Sequence, residues 1–589
     1  MEEKRDCVRD AAIAFENPIA SAGILVKRLL DCGHIRLCDL EGVGIFKKNS
    51  INIAHIPTLM LIIGYPVYWA MLLSRQAASG ITSPICWWVF AFFVLFVVLR
   101  ERKAIAEGMV EFINFYRAQQ IAVKFFWWVG AGIGFLILSF AFLASLHPPH
   151  LMQESDVMNY HMSLPRQHLI LGSFAHIPWS ADDFFFLPID FALAPFWFVS
   201  ALPNKLPQFI FFLGIIGVIV SLTQWLKRGA LTASLVCVFA FLGSHGHGVQ
   251  MGTGMLDLTV CYLFLALVDS LFRRQKWLFI TEFTFFIWAK SLVALQVFIL
   301  LIMLWLIYQV LRRVGINQVM FDFQKTITAL EVKEIRNFLR KAIVGIVLLS
   351  LCVAGPFLVK SLYYTGTPFF PVGFGFFKNH PGIAENSVAW ESLTRSAQFL
   401  TNSISRDGYG RSILDFITHF WALAVPDVGV NNAFDYPMGL SYLIFLGPFM
   451  FLLIRSLMNK EVPIIPWLIV SYWILWWLSV RETRHLYAPV ILMFIVSAVS
   501  MKVWSKIFFG VLAAAMVFNA LNVYRAHQPY FFKTSKAVIR AEDLWLAEYS
   551  QQYHRQKRSD MVELQQFEVA FALFPVVVRM EYLPHVIVF

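Results

Sequence analysis

Apolar runs of about 18 to 22 residues, separated by short polar breaks, recur from about residue 55 to about residue 525. Each is long enough to cross a roughly 30 Å hydrocarbon core as an α-helix. The runs predict about thirteen spans, at about 55–73, 82–99, 124–145, 206–226, 230–247, 253–272, 276–289, 291–311, 342–361, 438–456, 463–480, 485–500 and 505–524. The stretch 184–201, broken by Pro188 and Pro195, reads as a further interfacial or half-buried helix. The expected fold class is therefore an all-α polytopic membrane protein. Residues 1–54 form an N-terminal region on the inner side, 55–525 the transmembrane unit, and 526–589 a tail of unassigned structure on the outer side.

Composition agrees with this pattern. Of 589 residues, 58% are hydrophobic, 16% aromatic and only 14% charged, against roughly 25% charged in an average soluble domain. A soluble chain is excluded on these figures. Orientation follows from Lys and Arg, which gather in short loops on the inner side. With the N-terminus inside, inner loops carry Arg100, Arg102, Lys103, Lys227, Arg228, Arg273, Arg274, Lys276, Arg312, Arg313, Arg340, Lys341, Arg455, Lys460, Lys502 and Lys506. By this arrangement roughly 29 basic residues lie inside and about 11 in outer segments ahead of the tail. The net charge of +11 is thus a topology signal, and it gives no reason to expect nucleic-acid binding. The seven cysteines lie in the N-terminal region or in apolar runs, so no disulfide framework is expected.

Two long outer loops are predicted, about 146–205 and about 362–437, each carrying short helices, and the residues with chemical potential lie on that side. The first loop holds QESDVMNYHMSLPRQHL, Gln153 to Leu169. Glu154 and Asp156 stand two residues apart, and Tyr160 and His161 follow Asp156 by one helical turn. A carboxylate half shielded at such an interface can serve as a general base, because partial desolvation raises its pKa toward working pH. The competing reading is a helix N-cap at Ser155 or Asp156. Asp257 opens an otherwise apolar helix, where an ionisable group is costly unless paired. Lys290, in FFIWAKSLVAL, is a candidate partner for Asp257 or a phosphate ligand, with snorkelling to the interface as the plain alternative. VRETRHLYAP places Arg481, Arg484 and His485 in a short outer turn against the positive-inside trend, which suits a lipid phosphate. Contact with ordinary lipid headgroups is the other explanation. His245 and His247 in SHGHG form a weak metal pattern.

The order of these features resembles the GT-C superfamily of polytopic glycosyltransferases that use polyprenyl-phosphate-linked sugars, in particular the bacterial aminoarabinose and lipopolysaccharide-core sugar transferases. ESDVMNYHMSLPRQHLILG is similar to that group's first outer loop, with its D/E-x-D and YH-x-x-x-P pattern. MLDLTVCYLFLAL, FIWAKSLVALQVFILL, YYTGTPFFPV and RETRHLYAPVIL resemble its later motifs, in the same order, over roughly residues 120 to 500. Thr367 stands where the group has Asn, and His485 where it often has an aromatic residue. The resemblance implies Asp156 as catalytic base with Glu154 assisting, and transfer with inversion from a polyprenyl-phosphate-sugar donor to a glycolipid or polysaccharide acceptor. It implies that Tyr160, His161, Asp257, Lys290, Arg481, Arg484 and His485 bind substrate, and that the chain sits in a bacterial inner membrane with its active face periplasmic. It leaves a divalent metal between Glu154 and Asp156 open. Two other classes stay in play: a transporter or flippase of a lipid-linked substrate, and a polysaccharide polymerase or ligase, to which Arg395, Arg406 and Arg411 of the second loop would suit.

Overall fold

The computed structural model describes residues 53–74, 82–119, 121–147, 149, 154, 156–177, 181–184, 186–198, 204–227, 230–289, 293–313, 318–320, 329–369, 412–424, 437–478, 482–501 and 506–531. Lys290, Arg481, Arg395, Arg406, Arg411, Ser155 and the predicted tail from Phe532 onward lie outside these residues. Helices dominate: α1 Ile56–Leu73, α2 Thr82–Ala118, α3 Ile121–Ser145, α4 Ser163–Leu171, α5 Pro188–Trp197, α6 Leu206–Leu226, α7 Leu231–Leu242, α8 His245–Gln250 and α9 Asp257–Phe272. They continue with α10 Lys276–Ile287, α11 Val293–Arg313, α12 Ala329–Thr365, α13 Ile413–Ala422, α14 Leu440–Met458, α15 Ile464–Leu478, α16 Tyr487–Ser500 and α17 Lys506–Phe531. The one ladder among the described residues joins two three-residue strands in parallel, β1 Gln318–Met320 and β2 Glu461–Pro463.

Among the described residues, eight helices are long and apolar enough to cross a membrane, and shorter apolar helices stand at Leu231–Leu242, Ile299–Val310 and Ile464–Leu478. The eight coincide with predicted spans. Of the other five predicted spans, 291–311 meets the 21-residue α11, and four meet shorter helices, where polar or glycine-rich breaks such as SHGHG and MGTG cut the apolar runs. Helix is the form these runs must take, since hydrocarbon leaves no solvent partner for a backbone N–H or C=O. Pro57, Pro188 and Pro207 sit in first turns, where a missing N–H costs nothing.

Burial orders the bundle. In α16 every residue from Tyr487 to Val499 is buried, and the helix packs against α6, α7, α9, α14 and α15. At the other extreme, α2 and α12 turn most of their apolar surface outward, as helices facing lipid do. Small residues set the close approaches: a Cβ on Gly64 of α1 would meet the Ala192 carbonyl oxygen of α5 at 1.8 Å, so only glycine lets these two helices touch. At the Asp269 end of α9, His55 bridges Glu282 (Nδ1 to Oε1, 2.6 Å) and Asp269 (Nε2 to Oδ2, 2.9 Å), all three fully buried. Ser221 and Arg273 also donate to Asp269, and Thr58 to Glu282. Asp257, at the far end of α9, belongs to the candidate site about 18 Å away along the helix.

Candidate functional site

The acidic arm comes from the segment between α3 and α4. Val157–His161 forms a π-helical turn, a wide turn often found where function needs a side chain re-aimed. Asp156 precedes it with helical dihedrals and makes no side-chain capping hydrogen bond, so the N-cap reading does not describe it. Its carboxylate is partly exposed and reaches across the fold, with Oδ2 3.5 Å from Nη1 of Arg484. Glu154 points the other way. It is 1% exposed, its two oxygens lie 3.1 and 3.3 Å from Lys205 Nζ, and Oε1 accepts from the Gly254 amide. Burial pushes the Lys205 ammonium below its usual range, and the adjoining Glu154 carboxylate partly restores it. Glu154 is thus neutralised and fixed, and it holds the 252–257 loop to the acidic arm.

His161 donates through Nδ1 to Asp190 Oδ1 of α5 at 2.9 Å, both groups buried, and the Tyr160 ring lies 4.2 Å from the His161 ring. Arg166 stacks over Phe198. Further along α4, His168 is part of a second cluster. Its Nε2 lies 2.7 Å from Asp183 Oδ1, which also accepts from Lys360 Nζ at 2.6 Å. Asp183 Oδ2 accepts from the Ile177 amide and from His176. Burial by itself would raise the Asp183 carboxyl, but the charges of His168 and Lys360 and the hydrogen bonds from His168 and His176 hold it well below the usual carboxylate range. The cluster ties α4, through His168, to the 176–183 segment and to Lys360 of α12.

The basic arm is the turn before α16. Arg484 Nε donates to Glu482 Oε2 at 2.7 Å, and Nη1 stands 3.8 Å from Asp257 Oδ2 as well as facing Asp156. Gln250 Nε2 donates to Asp257 Oδ2 at 3.1 Å, and His485 Nε2 lies 3.5 Å from Glu482 Oε2. One guanidinium therefore gathers three carboxylates from three distant parts of the chain. Gly252 makes the loop possible: its φ is +82°, and a Cβ there would meet the Ala141 carbonyl oxygen of α3 at 2.5 Å.

Of the sequence-derived site residues, the fold joins Asp156, Asp257, Arg484 and His485 in one network around Arg484. Glu154 is tied to the same loop from its buried side, and Tyr160 and His161 continue the acidic arm. Lys290 and Arg481 lie outside the described residues. Among the described residues Asp257 meets Gln250 and Arg484; the expected pairing with Lys290 lies outside them. A Glu154–Asp156 metal site finds no support in the geometry, because Glu154 turns to Lys205, and no three metal-ligating side chains converge among the described residues. His247 is buried against Phe241 and Tyr487. Sequence reasoning missed Lys205, Gln250, Asp190, Asp183, Lys360 and the role of Glu482. Only Glu482 carried a visible signal, two residues before Arg484 in RETR. Comparison of the chain with protein-family models, curated proteins and solved structures finds no match.

Proposed function

We propose that the chain is a membrane glycosyltransferase that moves a sugar from a polyprenyl-phosphate donor to a glycolipid or polysaccharide acceptor. The observation that carries this reading is the Asp156–Arg484 pair: a partly exposed carboxylate 3.5 Å from a guanidinium, in turns that adjoin the apolar helices. Asp156 is positioned to take a proton from an acceptor hydroxyl while the oxygen attacks the anomeric carbon. The C–O bond to the lipid phosphate breaks in line, and the phosphate leaves with the electron pair, giving inversion. Arg484, with Lys290 and Arg481 added from the sequence, neutralises the departing charge in a water-poor setting where such stabilisation is strongest. Asp257 and Gln250 orient sugar hydroxyls, and His161 and Tyr160 line the approach. Glu154 acts at one remove, through the Gly254 loop.

The reading extends to topology. All thirteen predicted runs cross, the four shorter helices being accommodated by snorkelling flanking residues and local thinning of the bilayer. The N-terminus lies inside, and the Asp156 face is periplasmic in a bacterial inner membrane. The test is mass spectrometry of envelope glycolipids from cells with wild type, Asp156→Asn or no protein. We expect null and variant to lack the same sugar, with residual transfer down by about 10²- to 10⁴-fold, the usual worth of a positioned base, and with normal folded yield. A variant that transfers like wild type removes Asp156 from the chemistry.

A second reading, a transporter of a lipid-linked substrate, is favoured by the buried His55–Asp269–Glu282 cluster within the helices, since ionisable groups there default to function. Substrate flux in proteoliposomes without sugar transfer would select it.

A further inference from the structure

Helix α13 has ten residues and a complete capping box: Ser412 Oγ accepts from the Asp415 amide, and Asp415 accepts from the Ser412 amide. It is about 15 Å long, too short to cross a bilayer. Yet Ile413, Leu414, Ile417 and Trp421 are 81, 69, 61 and 65% exposed, and their spacing puts them on one side of the helix. The opposite side is anchored. His419 is buried, its Nε2 accepts from Trp473 Nε1 at 2.9 Å, its Nδ1 donates to the Phe416 carbonyl, and its ring lies among Trp476 and Trp477.

Two contacts fix the level of the helix. Met438 N donates to Leu423 O at 2.6 Å, so α13 ends beside the first residues of α14, whose Leu440–Met458 is one of the long apolar helices. Trp476 Nε1 donates to Glu482 O at 2.8 Å, which ties the same unit to the Arg484 turn. An exposed apolar stripe at the end of a membrane-length helix is continuous with the surface that meets lipid. We propose that α13 lies in the plane of the membrane, at the boundary that carries the Asp156–Arg484 cluster, with Ile413, Leu414, Ile417 and Trp421 sunk among phospholipid acyl chains. The indole of Trp421 suits the headgroup boundary, and the stripe acts as a float that holds the Arg484 turn at the depth of a lipid phosphate.

The test uses the full-length wild-type chain in vesicles of phosphatidylethanolamine and phosphatidylglycerol containing a phospholipid with a diazirine in its acyl chain. After photolysis, peptide mass spectrometry maps the adducts. We expect adducts on 413–421 as well as on the outward faces of α2 and α12, and their loss from 413–421 alone in Leu414→Asp/Ile417→Asp. Adducts on α2 and α12 with none on 413–421 in wild type would overturn the proposal. So would coupling of two chains through 413–421 by an added bifunctional cross-linker, which would make a second copy the occupant. The readout is lipid contact and not sugar transfer, so it stands or falls apart from the activity proposed above.

Discussion

At the scale of single residues, the two acids of the ESD stretch, two positions apart, have opposite fates. Glu154 is sealed against Lys205, whereas Asp156 remains reachable. Removing one partner of a buried pair leaves an uncompensated charge, which costs about 3–5 kcal/mol, while removing both is far milder. Glu154→Gln and Lys205→Met should therefore each lower thermal stability strongly, and the double variant should recover most of it. Simple additivity of the two losses would show that the pair is not coupled. Asp183 supplies a pH prediction. Its folded pKa is depressed, so its stabilising contribution is complete above the unfolded carboxyl value near 4 and drains away as pH falls below it. Melting in detergent should be flat down to about pH 4 and then fall, with a shallower acid limb in Asp183→Asn. Equal slopes for the two proteins would count against it. The sequence made Asp156, Asp257 and Arg484 visible because a charge in an oily context stands out. Lys205 and Lys360 stayed hidden because their partners are 51 and 177 residues away, and no local spacing encodes such pairs.

At the scale of elements, the breaks in the apolar pattern matter as much as the runs. The MGTG turn brings Asp257 and Gln250 together only because Gly252 accepts a left-handed backbone flush against α3. Gly252→Ala combines left-handed strain with overpacking, an expected loss of roughly 2–4 kcal/mol. Differential scanning fluorimetry in detergent reads that loss, and an unchanged melting point would mean that the loop repacks freely. Hydropathy found the apolar run in every long helix but stopped well short in two, predicting 82–99 where α2 runs Thr82–Ala118 and 342–361 where α12 runs Ala329–Thr365, because the charged turns that extend these helices fall outside an apolar window. It overran α7 and α10, because a sliding apolar window does not register where a short polar turn stops the helix. It also passed over α13, since ten residues with an apolar stripe fall below any spanning length and the helix is defined by its cap and by His419 among tryptophans.

At the scale of the whole molecule, the described helices sort by burial into a central α16 and an outer set with exposed apolar faces, a division that periodicity alone did not give because the membrane-length runs are uniformly apolar. The side each loop occupies rests on charge. A single cysteine placed near Arg340 should react with a membrane-impermeant maleimide only after permeabilisation, and one near Asn402 should react in intact spheroplasts; the reverse would invert the topology and put the Asp156 face inside. The Asp156–Arg484 contact spans 328 residues. At about 5–20 residues per second a ribosome needs roughly 16 to 66 seconds to travel between them. Through that interval the acidic arm can already be in the membrane, closed by its own Lys205, while the guanidinium that completes it has not been made. A nascent or truncated chain ending before Arg484 carries Asp156 and Asp257 without that counter-charge, so completion of the cluster is tied to synthesis of the turn that precedes α16.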